Sequence, residues 1–212
     1  MNPLAPLAPL APLAVLFDYP DDGFDARLEC ALGAHPGKAL DDFARAMRSL
    51  PTEEREELHT ATFEITPSCV PYVSIHLFGE ENFKRGEFMA ALLGRYAETG
   101  FDRGNELPDH IANLLRYFDA CDEAERCELA AHCLLAPLEK MAAALSETNP
   151  YSGLLAAAAA GVRSACPGVE AVPVAKPSGA PAACAAACCG PLPSGQASPN
   201  PDQEILTASV YD

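Results

Sequence analysis

A group of aromatic, imidazole, carboxyl and guanidinium side chains lies near the middle of this 212-residue chain. Tyr72 and His76 are four residues apart, so a helix would place both on one face. We expect Phe78-Gly79-Glu80 to end that helix, because glycine interrupts a helical pattern. Arg85-Gly86 then falls in the first turns of the following helix. The spacing therefore predicts a helix–turn–helix corner at which these side chains meet.

Two interpretations of this corner are open. In the functional one, the corner is a wall of a peptide-binding groove, where Glu80 attracts a basic group and Tyr72 and Phe78 provide apolar contact. In the structural one, Tyr72 and His76 lie at the edge of the core, and Gly86 lets two helices approach closely. Gly79 ends the helix in both interpretations.

A second segment, Glu106-Leu107-Pro108-Asp109-His110, has the composition of a helix start. Pro108 suits the first helical position, and Asp109 would interact favourably with the helix dipole. This explanation requires neither Glu106 nor His110. These two residues are therefore the better candidates for contact with a partner, although His110 is also compatible with an ordinary surface histidine.

These segments, in this order, resemble the NarJ/TorD-type chaperones that help assemble molybdenum-cofactor oxidoreductases, and most closely the nitrate reductase delta subunit (NarJ) branch. The resemblance extends from about Leu13 to Leu155. It also includes Leu16-Phe17-Asp18-Tyr19-Pro20-Asp21, Thr62-Phe63-Glu64 and Asn149-Pro150-Tyr151. The chain departs from the pattern at Arg116, where such proteins often carry an acidic residue.

The resemblance implies a system-specific cytoplasmic chaperone that holds no cofactor of its own. Such a protein binds the catalytic subunit of a molybdopterin oxidoreductase before assembly is complete, through that subunit's N-terminal segment, and supports cofactor insertion. Contact with cofactor-synthesis proteins is a further expectation, and both a monomer and a dimer fit. The residues that we expect to bind the client are Tyr72, His76, Phe78, Glu80, Arg85, Glu106, Asp109 and His110, with Gly79, Gly86, Leu107 and Pro108 shaping the motif.

The apolar residues follow the period of a helix rather than that of a strand. Stripes with three- and four-residue spacing predict amphipathic helices, for example Leu40, Phe43, Met47 and Leu50, or Tyr151, Leu154, Leu155, Ala158 and Val162. We predict an all-α fold: one compact bundle of about eight helices over residues 13–165, with a kink near Pro137. Residues 1–12, with proline at every third position, are expected to form an extended arm. Residues 166–212, rich in Ala, Pro and Cys, are expected to form a disordered tail.

Composition restricts the class of function. The chain has 14 Lys and Arg against 30 Asp and Glu, a net charge of −16, which argues against nucleic-acid binding and suits a basic partner. No segment approaches the roughly 18–20 apolar residues of a membrane span, so no membrane insertion is expected. We find no zinc-protease, hydrolase-elbow or phosphate-loop motif and predict a protein that is not an enzyme.

The nine cysteines show no disulfide spacing, which favours free thiols in a reducing compartment. Cys121, Cys127 and Cys133 recur every six residues, so one helix would not align them as metal ligands. Cys184, Cys188 and Cys189 would cluster if their segment were helical. A metal-handling or redox protein that uses these tail thiols is therefore an alternative. A retained structural subunit of the oxidoreductase is another.

Overall fold

The computed structural model describes residues 8–172, and this part of the chain contains ten α-helical segments and no β-strand. The all-α prediction is confirmed. The helices are α1 (Ala11–Ala14), α2 (Phe24–Ala34), α3 (Lys38–Ser49), α4 (Thr52–Phe63), α5 (Val73–Phe78), α6 (Lys84–Thr99), α7 (Ile111–Ala120), α8 (Glu123–Leu129), α9 (Leu135–Ala144) and α10 (Tyr151–Ala165). A π-helical turn, Ala130–Leu134, joins α8 to α9.

Helix α10 lies at the centre of the packing, against α9, α3 and α1. Two of its glycines lie at close contacts. A Cβ atom at Gly153 would come 2.7 Å from the carbonyl oxygen of Ala39, and one at Gly161 would come 2.6 Å from Cδ2 of Leu10. The absence of a side chain at these positions therefore allows neighbouring segments to approach α10 closely.

The π-helical turn accounts for the irregularity that we predicted near Pro137. A proline inside a helix donates no hydrogen bond, and its ring clashes with the carbonyl four residues earlier, here that of Cys133. Cys133 lies in the π-helical turn, which widens the helix at this point. The helical path is therefore altered in the turn before the proline rather than broken at it.

The N-terminal boundary of the bundle differs from the prediction. Leu10 is fully buried, and α1 begins at Ala11 with Pro12 in its first turn. The carboxylate of Asp119 accepts hydrogen bonds from the backbone N–H groups of Leu10, at 2.8 Å, and Ala11, at 2.7 Å. A first-turn proline removes no helical hydrogen bond, so Pro12 is compatible with this short helix.

The C-terminal boundary also differs. Cys166 is buried, and the N–H of Val172 donates to the carbonyl of Ala131 at 2.9 Å. The first residues of the predicted tail therefore pack against the bundle. Residues 1–7 and 173–212, with most of the predicted arm and tail, lie outside the described residues.

Candidate functional site

Tyr72 lies outside the helix to which we assigned it. It precedes α5 with an extended backbone, so the predicted shared helical face with His76 is wrong. Tyr72 instead pairs with His110 in an antiparallel bridge. The N–H of Val73 donates to the carbonyl of Asp109 and that of Ile111 to the carbonyl of Pro71, each at 2.9 Å. The two segments singled out in the sequence are thus joined directly, with the rings of Tyr72 and His110 5.7 Å apart.

His76 faces the protein rather than an open groove. Its Nε2 donates to the carbonyl of Val70 at 2.8 Å, and burial lowers the pKa of its imidazole. Lys140 of α9 donates to the carbonyl of His76 at 2.6 Å, which ties the end of α5 to α9. These contacts agree with the structural interpretation of this residue.

The turn after α5 has the predicted form. The helix ends at Phe78, Gly79 has φ of +90°, and α6 begins at Lys84. Arg85 turns inward, where its Nε donates to the Ser74 hydroxyl and its Nη1 to the carbonyl of Glu80, both at 2.9 Å. Its guanidinium group therefore holds the corner together. The residue Glu80 itself is exposed.

Two apolar expectations for the corner concern Phe78 and Gly86. The ring of Phe78 is half-buried and packs edge-on against Phe88 of α6, with ring centroids 5.7 Å apart, and its contact with a client stays a prediction. Gly86 was expected to allow a close helix contact. That interpretation is wrong, because a Cβ atom at this position would meet nothing within 4 Å.

The helix after Glu106 starts later than predicted. Helix α7 begins at Ile111, so Pro108 and Asp109 precede it and do not occupy its first positions. The residue that caps it is His110, whose Nδ1 accepts a hydrogen bond from the Ala112 N–H at 3.2 Å. The carbonyl of Pro108 accepts the hydroxyl of Tyr96 at 2.8 Å.

The capping role of His110 fixes its protonation state. A nitrogen that accepts a hydrogen bond carries no proton, so the cap requires the neutral imidazole. Burial lowers the pKa of His110 to about 4, against the opposing effect of the nearby Glu106 and Asp109. His110 is therefore a buried structural histidine, and the prediction of a surface contact fails for its imidazole.

Asp109 is a fully buried acid at the centre of the corner. Its Oδ2 accepts the Ser74 hydroxyl at 2.5 Å, while its Oδ1 has no hydrogen-bond partner within the described part of the chain. Ser74 in turn accepts from Arg85. This chain of contacts joins α5, α6 and the segment before α7, and it explains Asp109 better than interaction with a helix dipole.

The groups left at the surface form what we call the tyrosine–carboxylate face, defined by Asp18, Tyr19, Glu64, Tyr72 and Glu106. The hydroxyl of Tyr72 donates to Oε1 of Glu106 at 3.4 Å. Burial, then Glu106, raises the pKa of Tyr72, and Glu64 acts on it in the same direction. Burial, then Glu56, raises the pKa of Tyr19, and Glu64 acts on it in the same direction; Glu106 acts more weakly on the pKa of Asp18. Two phenol rings and three carboxyl groups thus lie within electrostatic range of one another.

An aromatic layer supports this face from below. His59 is buried, and its Nε2 donates to the carbonyl of Phe17 at 3.1 Å. The His59 ring lies 5.4 Å from that of Tyr19, and the Phe63 ring lies 4.8 Å from that of Tyr151. Three of the segments that carry the sequence resemblance, those with Tyr19, Phe63 and Tyr151, therefore meet in this layer.

Sequence reasoning had not proposed Asp18, Tyr19 and Glu64 as candidate binding residues. Their segments had been recognised as part of the family pattern, and that was the available signal. Two exposed side chains offer apolar area that the sequence did not indicate. Tyr19 is 45% exposed, and Leu107, which was expected only to shape the motif beside Glu106, is 42% exposed. Both offer apolar contact at the edge of the acidic groups.

Arg116, the departure from the pattern, lies close to this face. Its guanidinium group donates to Oδ1 of Asn113. Partial burial raises the pKa of the Asp18 carboxyl, and Arg116 is the strongest of the opposing, cationic influences. Arg116 therefore reduces the local negative charge that three carboxyl groups create.

No arrangement of three or more His, Cys, Asp or Glu side chains within residues 8–172 is suited to hold a metal ion. The alternative metal ligands, Cys184, Cys188 and Cys189, lie outside the described residues. Within the same range, no helix is both long enough and apolar enough to cross a bilayer.

Comparison with known proteins gives one family. The family model of the nitrate reductase delta subunit matches residues 31–156, which include the corner, Glu64, Glu106 and Arg116. A search of curated protein sequences found no match.

Proposed function

The chain belongs to the nitrate reductase delta subunit family, whose members are assembly chaperones of molybdoenzymes, and we propose that it binds the immature catalytic subunit of a molybdenum-cofactor oxidoreductase. The proposed contact is the N-terminal segment of that subunit, and the proposed result is a subunit held ready for cofactor insertion. The family match is the observation that carries the proposal.

The tyrosine–carboxylate face supports a specific mode of binding. The side chains of Tyr19, Tyr72 and Leu107 offer apolar area, and Asp18, Glu64 and Glu106 surround it with acidic groups. An amphipathic segment with basic side chains along one edge fits both features, since apolar burial supplies affinity and charge complementarity supplies orientation. The net charge of −16 favours approach of a basic segment over a distance of several ångströms.

The proposed mechanism is selective binding and involves no chemical step on the client. A chaperone favours the open, cofactor-accepting form of its client only through its higher affinity for that form. The rigid support beneath the face, from Asp109 with Ser74 and from the His110 cap, limits the entropy that binding would otherwise cost. We propose that this binding takes place in the cytoplasm.

The test is capture of the tagged full-length chain from its native host grown anaerobically, followed by mass spectrometry and molybdenum analysis of the bound protein. We expect a molybdopterin oxidoreductase catalytic subunit that is poor in molybdenum. A Glu64→Gln/Glu106→Gln variant should retain roughly tenfold less of that subunit, because two charge-assisted contacts at a partly exposed rim are each worth about 0.5–1 kcal/mol.

The matched control is Glu53→Gln/Glu128→Gln, which makes the same change in charge at exposed positions on α4 and α8. It should retain the subunit as the unmodified chain does. Equal loss in both variants would show that overall charge, and not this face, governs binding. Stoichiometric recovery of the active, cofactor-loaded enzyme would contradict a transient chaperone and identify a retained structural subunit.

A further inference from the structure

Helix α6 carries two large apolar side chains at the surface of the bundle. Phe83, at the start of α6, is 77% exposed, the highest value for any large apolar side chain in residues 8–172, and Leu93 is 44% exposed. The residues that α6 buries, Leu92 and Tyr96, lie on the opposite side of the helix. Single exposed apolar residues are common, so the residues around these two decide whether they belong to a binding surface.

The residues around Phe83 and Leu93 make one continuous exposed face. We call it the α6 face, and its members are Phe83, Gly86, Ala90, Leu93 and Ala97. Their spacing of three and four residues, which repeats every seven, is the spacing by which one helix packs along another. A Cβ atom at Gly86 would meet nothing within 4 Å, so no contact inside the chain offsets the cost of about 1 kcal/mol of a glycine within a helix.

Four exposed charged side chains follow one edge of the α6 face with alternating sign: Lys84, Glu87, Arg95 and Glu98. They sum to zero, although the chain has a net charge of −16. Lys84 and Glu87 make no ion pair within residues 8–172, and Arg95 makes two long contacts, at 3.4 Å with Glu98 and at 3.9 Å with Glu125. Intrachain contacts therefore leave this edge able to pair with charges outside the chain.

The order of the charges matches a second copy of α6 that runs in the opposite direction. Lys84 and Glu98 are each seven residues from Ala91, and Glu87 and Arg95 are each four residues from it. A two-fold axis near Ala91 would therefore bring Lys84 opposite Glu98 of the second copy, and Glu87 opposite its Arg95. A parallel pair would place each charge beside its own equivalent. The edge is thus self-complementary in the antiparallel arrangement.

The apolar residues are complementary in the same arrangement. Phe83 would lie over the end of the second α6, where Ala97 and Gly100 leave room for its ring, and Leu93 would lie near Ala90 of the second copy. Each large side chain would meet small ones, as close packing between helices requires. With 16 residues, α6 is about 24 Å long, so this interface is small and the expected association is weak.

We propose that the α6 face is the interface of a weak homodimer, in which the α6 helices of two copies pack antiparallel across a two-fold axis near Ala91. A second copy suits this face better than the basic client segment does, because the charged edge sums to zero and offers no excess of acidic groups. The acidic groups that suit a basic segment lie on the tyrosine–carboxylate face. The homodimer does not depend on the identity of the client.

The first test is sedimentation velocity of the full-length chain at about 0.15 M salt, where charges more than about 8 Å apart are screened. We expect the average mass to rise from that of one chain, 22.3 kDa, toward twice that value between about 1 and about 200 μM protein. A mass that stays at 22.3 kDa over this range would overturn the proposal.

The arrangement is tested by zero-length cross-linking with a carbodiimide, followed by tandem mass spectrometry. Lys84 and Glu98 are 14 residues apart in one helix, or about 21 Å, so an amide bond between them joins two different copies. We expect this cross-link in the band of twice the monomer mass. A cross-linked dimer without it would contradict the antiparallel arrangement.

Ala90→Glu tests the centre of the interface. It would place the carboxyl groups of two copies close together beside the two-fold axis, so the dissociation constant should rise by about tenfold or more. Because Ala90 is exposed, the variant is expected to fold, and its helical circular dichroism checks this. Ala160→Glu is the matched control at an exposed position on α10 and should leave the dissociation constant unchanged. An equal effect of both variants would show that the dimer forms elsewhere.

A charge exchange separates specific pairing from general repulsion. Glu98→Lys makes the chain less negative, which by itself would favour association, but it places two cations opposite each other and should raise the dissociation constant by about tenfold, since each dimer contains the pair twice. The double variant Lys84→Glu/Glu98→Lys keeps the net charge at −16 and should restore the original value. Tighter association of Glu98→Lys, or no recovery in the double variant, would overturn the proposed pairing.

Discussion

Helix α10 and the Tyr72–His110 corner are held in place by different kinds of contact. Helix α10 buries an apolar face, and Gly153 allows the backbone of α3 to approach within van der Waals contact. The corner instead buries polar groups: Ser74, Asp109 and Asn113 are all fully inaccessible, and each makes hydrogen bonds within it. The packing around α10 is therefore stabilised mainly by close apolar contact, and the corner is stabilised mainly by hydrogen bonds.

This difference separates stability from binding. The buried residues of α10 pack within the bundle. The contact of α10 with the tyrosine–carboxylate face is indirect, since the ring of Tyr151 packs against that of His59 beneath the face. In the corner, the inner residues hold the structure while Glu106 remains at the surface. Substitutions in the two regions should therefore have effects of different type as well as of different size.

The largest expected effect is that of Gly153→Ala. The added Cβ would meet the Ala39 carbonyl at 2.7 Å, a backbone atom that moves only with α3, so we expect the free energy of unfolding to fall by about 3 kcal/mol. Gly94→Ala is the matched control in α6, where a Cβ meets nothing within 4 Å and the change should stabilise the helix by up to about 1 kcal/mol. Urea unfolding measures both. Equal free energies for the two variants would show that α10 is not packed closely against α3.

Next in size is Ser74→Ala in the corner. Removing the hydroxyl takes the donor from Asp109 and the acceptor from Arg85, and a lost hydrogen bond to a charged group costs about 1.5–3 kcal/mol. We expect a decrease of about 2 kcal/mol in the free energy of unfolding, although Ala fills nearly the same volume. Ser68→Ala, at an exposed hydroxyl 3.3 Å from the Ala61 carbonyl, should change it by less than about 0.5 kcal/mol. A similar result for both serines would contradict the view that hydrogen bonds hold the corner.

The sequence predicted the features that depend on local spacing. Every residue of the apolar stripe from Tyr151 to Val162 that was predicted to face the core is buried, and the helix before Gly79 ends where expected. Helical periodicity is a property of neighbouring residues and is visible without the fold. The glycines were harder, since both Gly86 and Gly153 lie in helices and only a tertiary neighbour distinguishes them.

The candidate site was predicted less completely for the same reason. Ser74 and Asp109 are 35 residues apart, and nothing in the local sequence indicates that the Ser74 hydroxyl donates to the Asp109 carboxyl group. Tyr19 and Glu64 reach the site from still more distant segments, through the packing of α4 against the loop before α2. The role of these residues in client binding stays a prediction.

A smaller effect is expected from pH at His110. Its folded pKa is lowered to about 4, below the ordinary value of 6.5, so the unfolded chain binds more protons between these values. The stability contributed by the neutral imidazole is therefore complete above about pH 6.5 and is lost as the pH falls toward 4. Between pH 7 and pH 5 this loss should be about 1–2 kcal/mol.

His110→Asn tests this assignment, because asparagine also accepts a hydrogen bond at a helix N-cap. Urea unfolding at pH 7 and pH 5 should show a smaller pH dependence for the variant than for the unmodified chain. His132→Asn, at an exposed position in the π-helical turn, should leave the pH dependence unchanged. If His110→Asn did the same, the cap would not depend on a neutral imidazole.

The smallest expected effect on stability is that of Glu106→Gln, and it is the variant that separates the two roles of the corner most clearly. Glu106 accepts the Leu107 N–H at 2.8 Å and the Tyr72 hydroxyl at a long 3.4 Å, and glutamine keeps an acceptor oxygen for both. The free energy of unfolding should therefore change by less than about 0.5 kcal/mol. Retention of the client should nevertheless fall by a factor of about three, since one rim charge is lost. Both quantities, the free energy of unfolding and the retention of the client, are measured on the same protein preparation. A loss of stability without a loss of binding would show that Glu106 supports the structure, as Asp109 does, and does not belong to the tyrosine–carboxylate face.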